Sequence, residues 1–274
     1  MAQANLLIWP MIKLILIAAA VIFAILPARA EVFLENLTWT ELRDAVTAGA
    51  TTVIVPVGGI EQSGPHMALG KHNARVKVLA QLIAERLGKT LVAPVIAYVP
   101  EGQIDPPTEH MKFPGTISLT DATFIKMLQE TGRSLRHAGF THIVFIGDHG
   151  SYQSDLVTAA TALNKEWAGR GQAIGLRQYY AIAQNEFIDA LHQAGMADGE
   201  IGTHGALADT SLEMATAPQM VREDKLTDKA SANPANGVYG GSPARSSAIL
   251  GQKGVDLIVA GTVTEIVKFR GGNQ

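Results

Sequence analysis

The sequence feature that most constrains the fold is an alternation of short apolar segments with segments of helical periodicity. Four apolar segments have the length of buried strands and lie at residues 52–57, 91–96, 141–146 and 173–176. Helical spacing of apolar residues follows them at Val76, Leu79, Ile83 and Leu87, at Phe124, Met127, Leu128 and Leu135, and across residues 155–167. The alternation predicts an α/β fold, a single-domain three-layer sandwich in which a mostly parallel sheet carries helices on both faces.

The sequence also marks where helices should begin and end. Asn73 is a residue type that caps helix N-termini, so we expect the first of these helices to start there. Gly88 and Gly139 follow the last periodic residues of the first and second helices and should end them.

The N-terminal segment predicts export. An unbroken apolar run at residues 14–26 is preceded by Lys13 and ended by Pro27, and small residues then stand where a signal peptidase reads. The run is short for a membrane span. We predict a signal peptide at residues 1–30, a mature domain at 31–274, a periplasmic or secreted location, and no membrane contact after cleavage. An uncleaved anchor is the alternative, because a further apolar segment precedes the run.

Composition narrows the chemistry that the chain can carry. The 274 residues include no cysteine, which excludes disulfides, thiolate metal sites and a cysteine nucleophile. Any metal must therefore be held by His, Asp and Glu side chains. The formal net charge is −3 and there is no basic stripe, so we expect a small-molecule substrate and no nucleic-acid partner.

Histidines and carboxylates are concentrated where the predicted strands end. Five of the eight histidines lie in glycine- and proline-rich segments: His66, His72, His110, His149 and His204. Glu61 follows the strand at 52–57, and Asp148 follows the strand at 141–146. Ligands of open α/β sheets bind at these strand ends. A single such histidine is more often solvated or bonded to backbone, and Asp209 can serve as a helix cap, but their grouping favours a metal site.

Five segments resemble, in the same order, motifs of the creatininase (creatinine amidohydrolase) family of metal-dependent amidohydrolases. The first reads Val-Gly-Gly-Ile-Glu-Gln-Ser-Gly-Pro-His-Met-Ala-Leu-Gly-Lys-His at residues 57–72. The other four lie at residues 109–117, 148–151, 204–211 and 237–243. The resemblance covers nearly the whole mature chain. It implies the family's fold, hydrolysis of a C–N bond and a homo-oligomer, often a hexamer.

The departures from the family pattern bear on the number of metal ions. Family members usually hold two ions, and here Ser63 stands where the second ion has a His ligand and Ser151 where it often has a Glu. His72 replaces the bridging Asp, and an imidazole offers a single lone pair and cannot bridge two ions. The resemblance therefore implies one divalent ion per chain on Glu61, His72 and His149. We predict zinc, with Mn or Fe(II) as alternatives.

The resemblance also suggests roles around the ion. His204 is similar to the family's catalytic histidine, but Thr203 precedes it where creatininase can have an acid, which weakens the case for creatinine as substrate. Asp148 is a second catalytic candidate, or it orients an imidazole. Five further residues are expected to contact substrate or to support the ligands: His66, His110, Ser63, Ser151 and Asp209. For His66 and His110, hydrogen bonding within the loops is an equally good interpretation.

Two classes of function fit these features. The first is a hydrolase that opens a C–N bond of a small cyclic or linear amide with a metal-activated water, with lactone opening as a close variant. The second is a non-catalytic periplasmic binding protein with a degenerate family site. We favour the enzyme, because the residue that replaces the carboxylate at position 72 is itself a metal ligand. Specificity is expected from loops at residues 98–110, Tyr152 and residues 179–185.

Overall fold

The central sheet has four parallel strands in the order β2-β1-β3-β4. They are β1 (Thr52–Val57), β2 (Thr90–Val92), β3 (His142–Gly147) and β4 (Gln172–Gly175). This computed structural model describes residues 31–226 and 233–271, so the predicted signal peptide at 1–30 lies outside it. Val57 pairs with Gly147 at the end of the β1–β3 ladder. The residues that follow these two strands therefore emerge side by side at one edge of the sheet.

Helices cover both faces of the sheet. They are α1 (Trp39–Thr47), α2 (Lys71–Leu87), α3 (Asp121–His137), α4 (Gln153–Trp167), α5 (Arg177–Gln184), α6 (Glu186–Gln193), α7 (Asp198–Ile201), α8 (Leu207–Thr216) and α9 (Ala248–Gly271). A short antiparallel hairpin is formed by β5 (Gly202–His204) and β6 (Tyr239–Gly241). Single 3-10 turns occur at Leu34–Asn36, Glu109–Lys112, Pro218–Met220, Glu223–Lys225 and Pro234–Asn236.

Two apolar cores lie on opposite faces of the sheet, because successive side chains of a strand point to opposite sides. Ile54 and Val144 pack with α2, α5, α6, α8 and α9 on one face. Val55 and Phe145 pack with α1, α3 and α4 on the other. The predicted α/β fold, with a mostly parallel sheet and helices on both faces, is confirmed. Within the described ranges, no helix is both long enough and apolar enough to cross a membrane.

The start of α2 differs from the prediction. The helix begins at Lys71 after Gly70, and Asn73 lies inside its first turn and is not its cap. The Asn73 side chain instead accepts a hydrogen bond from the Gly59 N–H at 3.0 Å. A Cβ at Gly58 would lie 2.9 Å from the Asn73 backbone nitrogen, so glycine permits this approach. The first turn of α2 is thereby held against the loop that follows β1.

Candidate metal centre

The predicted site residues converge at the edge of the sheet where β1 and β3 end. Glu61 lies in the loop after β1, His149 in the loop after β3, and His72 in the first turn of α2. His72 and His149 line a cavity of about 350 Å³, and the buried Glu61 contacts both of them. The polar lining of this cavity includes Lys71, His72, His110, Asp148, His149 and His204.

His72 joins two buried carboxylates. Its Nε2 atom lies 2.6 Å from Glu61 Oε1, and its Nδ1 atom lies 2.6 Å from Asp148 Oδ2. Burial and the Lys71 ammonium act to lower the pKa of His72, but the two carboxylates raise it above its ordinary value overall. Both ring nitrogens are thus occupied by protein partners, and Arg75 Nη2 also lies 3.0 Å from Nδ1.

Asp148 and Asp209 are neutralised by basic residues of α2. Arg75 donates from Nε to Asp148 Oδ2 at 2.8 Å and from Nη1 to Asp209 Oδ1 at 2.7 Å. Tyr179 Oη donates to Asp148 Oδ1 at 2.9 Å, and Lys71 pairs with Asp209. Burial acts to raise the pKa of each carboxyl, but Arg75 holds that of Asp148 below its ordinary value, and Lys71 with Arg75 holds that of Asp209 well below. Both carboxylates are thus ionised and firmly held.

Unlike Asp148 and Asp209, Glu61 and Glu101 have carboxyl oxygens without hydrogen-bond donors among the described residues. Glu61 Oε2 and both carboxyl oxygens of Glu101 are buried and have no hydrogen-bond partner in the described part of the chain. Burial and the charge of Glu61 raise the pKa of Glu101 to about 10. One ligand atom each from Glu61, Glu101, His110 and His149 lies within 4.8 Å of the others. Buried carboxyl oxygens without donors fit a cation, so these residues are suited to a metal ion.

His149 lies between the two glutamates of the site. Its Nε2 atom is 3.4 Å from Glu61 Oε2, and its Nδ1 atom is 3.6 Å from Glu101 Oε2. Ser151 contacts Nδ1 with its Oγ at 2.9 Å and donates to it from its N–H at 3.3 Å. Burial lowers the pKa of His149 to about 3, so the ring is neutral and one of its nitrogens has a free lone pair.

A chain of hydrogen bonds determines which ring nitrogen of His110 carries the proton. The Gly64 N–H donates to Gln62 Oε1 at 3.1 Å, which fixes the orientation of the Gln62 amide. Gln62 Nε2 then donates to His110 Nδ1 at 3.1 Å. Burial lowers the pKa of His110, so the ring is neutral and its proton is on Nε2, 3.3 Å from Glu61 Oε2. His110 thus presents a hydrogen-bond donor to the site. Gly237 closes this arrangement with φ +75°, since a Cβ there would collide with Gln62 Oε1.

His204 lies beside the same amide and has a free lone pair. Its Nε2 donates to the Gln62 carbonyl at 2.8 Å, which leaves Nδ1 unprotonated and 3.7 Å from Glu61 Oε1. Burial and the charge of Lys71 lower the pKa of His204 to about 4. The residue predicted as catalytic therefore lies at the cavity in a form that can accept a proton.

Four predicted site residues are not among the described residues that line the cavity: Glu61, Ser63, His66 and Ser151. Glu61 and Ser151 contact the lining residue His149. His66 is buried and forms a 2.9 Å hydrogen bond with Thr210 Oγ1 of α8, and Ser63 Oγ donates to the Gln62 carbonyl. For His66 the geometry favours the structural interpretation over contact with substrate.

The expectation about the loops that set specificity is wrong for Tyr152 and for the loop conformation of residues 179–185. Tyr152 is fully buried and donates to the Gly58 carbonyl at 2.6 Å, and Tyr179 is buried against Asp148. Residues 179–185 are almost entirely within helix α5 and not in a loop. Four residues of this range nevertheless line the cavity, as expected: Tyr179, Tyr180, Ala183 and Gln184. Tyr239 lines it as well. Which residues line the cavity depends on where their helices and strands lie in the fold, and the sequence alone does not reveal this.

Three residues of the site were not predicted from sequence. Lys71 and Arg75 occupy the buried side of α2, and charges on the apolar side of a helix are a usable signal for a polar site beneath it. Glu101 carries no such signal, because it stands alone in an irregular segment.

Known proteins match this chain over part or most of its length. The family model for creatininase, described as creatinine amidohydrolase, matches residues 35–266. Creatinine amidohydrolase of Pseudomonas putida is 29% identical over 222 residues, which cover 79% of this chain and 84% of that protein. A mycofactocin precursor peptide peptidase of Mycolicibacterium smegmatis is 35% identical over 124 residues, 43% of this chain and 47% of that protein.

Solved creatininase structures share the fold. A manganese form superposes with a TM-score of 0.70 at 27% identity, covering 86% of this chain and 98% of that one. A Zn–Zn form of a creatininase mutant gives 0.69 at 26% identity, covering 86% and 97%. With the family model matching most of its residues, the chain belongs to the creatininase family.

Proposed function

We propose that this protein is a metal-dependent hydrolase that cleaves a C–N bond of a small cyclic or linear amide. The observation that carries the proposal is the set of buried carboxyl oxygens of Glu61 and Glu101 without donors, next to the free lone pair of His149. Such a set is suited to a divalent cation, and His149 of this set lines a cavity of about 350 Å³.

Glu61 and His149 are the residues that both lines of reasoning assign to the ion. The family resemblance adds His72, and the geometry adds Glu101 and His110. A bound divalent ion lowers the pKa of a water molecule and polarises a carbonyl group. We propose one ion per chain, zinc or manganese, since serine occupies the positions of two second-ion ligands in the family pattern.

The neighbouring imidazoles supply proton transfer and hydrogen bonding. His204 Nδ1, neutral at pH 7, takes a proton from the attacking water and delivers it to the leaving nitrogen. His110 Nε2–H is oriented to donate to the substrate carbonyl oxygen, where negative charge develops. Asp148 holds His72 and thereby Glu61, which supports the orienting role over the catalytic one.

The cavity suits a small substrate with an apolar part. Ala183, Ile188 and Ile258 contribute an apolar wall, while Tyr180 and Tyr239 add hydroxyl groups. The matched relatives are named as an amidohydrolase and a peptidase. Both names denote hydrolysis of C–N bonds, which supports amides as the substrate class.

A substrate panel with controlled metal content tests the proposal. The purified mature protein is stripped with a chelator, reloaded with Zn²⁺ or Mn²⁺, and assayed with creatinine, other cyclic amides, linear amides, a lactone and short peptides. We expect turnover of at least one amide that disappears on stripping and returns on reloading. Turnover of the lactone alone would favour the lactonase variant. Ligand binding without turnover, unchanged by stripping, would instead establish a binding protein.

Export and assembly are separate parts of the proposal. The apolar segment at residues 1–30 supports cleavage and export, and the family resemblance supports a homo-oligomer. N-terminal sequencing of the protein recovered outside the cytoplasm and light scattering of the purified protein test the two. A retained N-terminus or a monomer would contradict the respective part.

A further inference from the structure

One carboxylate of the site lies outside all five family-like segments. Glu101 belongs to the irregular segment between β2 and α3, whereas Glu61 and His149 stand in the first and third of those segments. The Glu101 backbone N–H donates to Ser118 Oγ at 2.9 Å. This bond holds Glu101 next to Glu61 without occupying its carboxyl group.

The Glu101 carboxyl group is buried beside Glu61 and His149. The residue is 1% exposed, and neither carboxyl oxygen receives a hydrogen bond from a backbone amide or a basic side chain of the described residues. Glu61 Oε2 is equally unpartnered and lies in the same four-residue group, while Glu61 Oε1 is bonded to His72. Three unpartnered carboxyl oxygens in one buried group are ligand atoms that a divalent cation can take up, so they indicate a cation site.

Ser151 connects this arrangement to the family pattern. It stands where the family pattern often has a carboxylate ligand, and a serine side chain supplies no carboxylate. Ser151 Oγ instead donates to the carbonyl of Pro100, the residue before Glu101. The serine therefore anchors the segment that brings a carboxylate to the centre from a different direction.

The two competing imidazoles are engaged by other partners. His72 Nε2 and Nδ1 lie 2.6 Å from Glu61 Oε1 and Asp148 Oδ2, and His72 is outside the four-residue group. His110 accepts from the Gln62 amide at Nδ1, so a neutral ring carries its proton on Nε2. His149 lies between the two glutamates, with Nε2 3.4 Å from Glu61 Oε2 and Nδ1 3.6 Å from Glu101 Oε2.

We propose that Glu101 is a ligand of the metal ion, with Glu61 and His149, and that His72 is a positioning residue that holds Glu61. The inference rests on the proposed function only in requiring that the site bind a divalent ion. The set contains two carboxylates and one imidazole. It differs from the set inferred from sequence, which contains two imidazoles and one carboxylate. A more oxygen-rich set favours Mn²⁺ relative to a two-histidine set.

X-ray absorption of the wild-type protein loaded with Zn²⁺ counts the imidazoles directly. We expect one imidazole ring in the coordination sphere. Two or more would overturn the proposal and favour ligation by His72 or His110. This measurement requires no variant, so it does not depend on how a substitution affects folding.

Metal affinity of two matched variants provides the second test. Glu101→Gln removes the proposed ligand, and Glu213→Gln alters another buried glutamate with two unpartnered oxygens, which is outside the four-residue group. Competition with a chromophoric chelator should show Zn²⁺ and Mn²⁺ affinity at least about 100-fold lower for Glu101→Gln and unchanged for Glu213→Gln. Wild-type affinity of Glu101→Gln would overturn the proposal.

Thermal stability separates loss of a ligand from a folding defect. Because the amide carries no charge, metal-free Glu101→Gln should unfold at the same temperature as the metal-free wild type or higher, while the rise in Tm on adding metal disappears. A metal-free Tm well below the wild type would show that Glu101 is structural and overturn the proposal. If the wild-type protein itself binds neither Zn²⁺ nor Mn²⁺, the proposed function fails. If Glu101→Gln keeps metal-dependent turnover and wild-type affinity for these ions, only the present inference is overturned.

Discussion

Two pairs of buried carboxyl groups lie within one site, and the chain treats them in opposite ways. Asp148 and Asp209, the scaffold pair, receive hydrogen bonds from Arg75, and Lys71 pairs with Asp209. Glu61 and Glu101, the open pair, present three oxygens without any donor among the described residues. The open pair is the more deeply buried of the two, since Glu61 and Glu101 are 0% and 1% exposed and the Asp209 side chain is 14% exposed, so contact with solvent does not account for its missing donors.

This difference indicates that the scaffold pair holds the site in shape, whereas the open pair is available to bind a ligand. A buried ion pair with satisfied hydrogen bonds holds its members in one geometry, and here it orients His72 through Asp148. In the absence of a cation Glu101 is protonated, since its pKa is raised to about 10, and a bound cation would take the place of that proton. The basic side chains of α2 thus form a frame, in which Lys71 also lies 3.5 Å from Glu61 Oε1.

The largest effect that we expect follows loss of the metal. His149→Ala removes the imidazole lone pair beside the open pair, and removal of the ion by a chelator has the same consequence. Either change should lower kcat/KM on the best amide by at least about 1,000-fold, equivalent to about 4 kcal/mol of transition-state stabilisation.

His192→Ala is the matched control, because His192 is an exposed histidine that pairs with Asp198. It should retain wild-type kinetics and metal content. Activity that survives both chelation and His149→Ala would show that the open pair does not serve a catalytic ion.

The scaffold pair should carry the largest effect on stability. Arg75→Met leaves Asp148 and Asp209 without their shared guanidinium, and we expect the free energy of unfolding in urea to fall by about 3–5 kcal/mol. Arg133→Met removes an exposed pair with Glu166 and should cost no more than about 1 kcal/mol. A loss for Arg75→Met as small as that of the control would mean that the scaffold pair is not held by this charge.

Much of the fold could be predicted from the sequence because it depends on local periodicity. Buried strands and amphipathic helices leave patterns of two and 3.6 residues, and these gave the sheet and helices α2 to α4. Helix α9 left no clear pattern, since Gly251, Gly254 and Gly261 interrupt it. A Cβ at Gly251 would collide with the Ser211 carbonyl, so this glycine reflects contact with α8 and not a helix end. Close packing overrides local propensity there.

The site was predictable to the extent that strand ends position it. Glu61 and His149 come together because β1 and β3 are parallel and in register. Glu101 could not be predicted, because its position depends on the bond to Ser118 and on Ser151 contacting Pro100, which are contacts between distant segments. The proton on each imidazole depends in the same way on partners that only the folded chain provides.

Glu213 is a further buried carboxyl group near the scaffold pair, and the pH dependence of stability shows whether it is charged. This buried carboxyl lies 3.7 Å from Arg75, whose hydrogen bonds go to the scaffold pair, and burial raises the pKa of Glu213 to about 8. The folded state therefore holds a proton that the unfolded state releases above pH 4.5. Stability should fall by up to about 1.4 kcal/mol per pH unit between pH 4.5 and 8 from this group alone.

Glu213→Gln removes this titration and isolates it. The difference in unfolding free energy between Glu213→Gln and wild type should be constant below pH 4.5, grow in favour of the variant up to pH 8, and then level off. Glu130→Gln, at an exposed position, should show no such trend. A constant difference across the whole range would indicate that Arg75 keeps Glu213 ionised as a third member of the scaffold.

The smallest effect that we expect is at His66, which belongs to the same loop as Glu61 but to neither pair. Thr210→Val removes the hydroxyl that bonds His66 Nε2, and because that bond is buried and neutral, the loss should be about 1 kcal/mol. Thr158→Val removes an exposed hydroxyl in α4 and should be nearly neutral. Affinity for Zn²⁺ should be unchanged in both variants, since His66 lies outside the cavity lining and the metal-binding group. A Thr210→Val protein with weakened metal binding would instead make His66 part of the centre, as one interpretation of the sequence predicts.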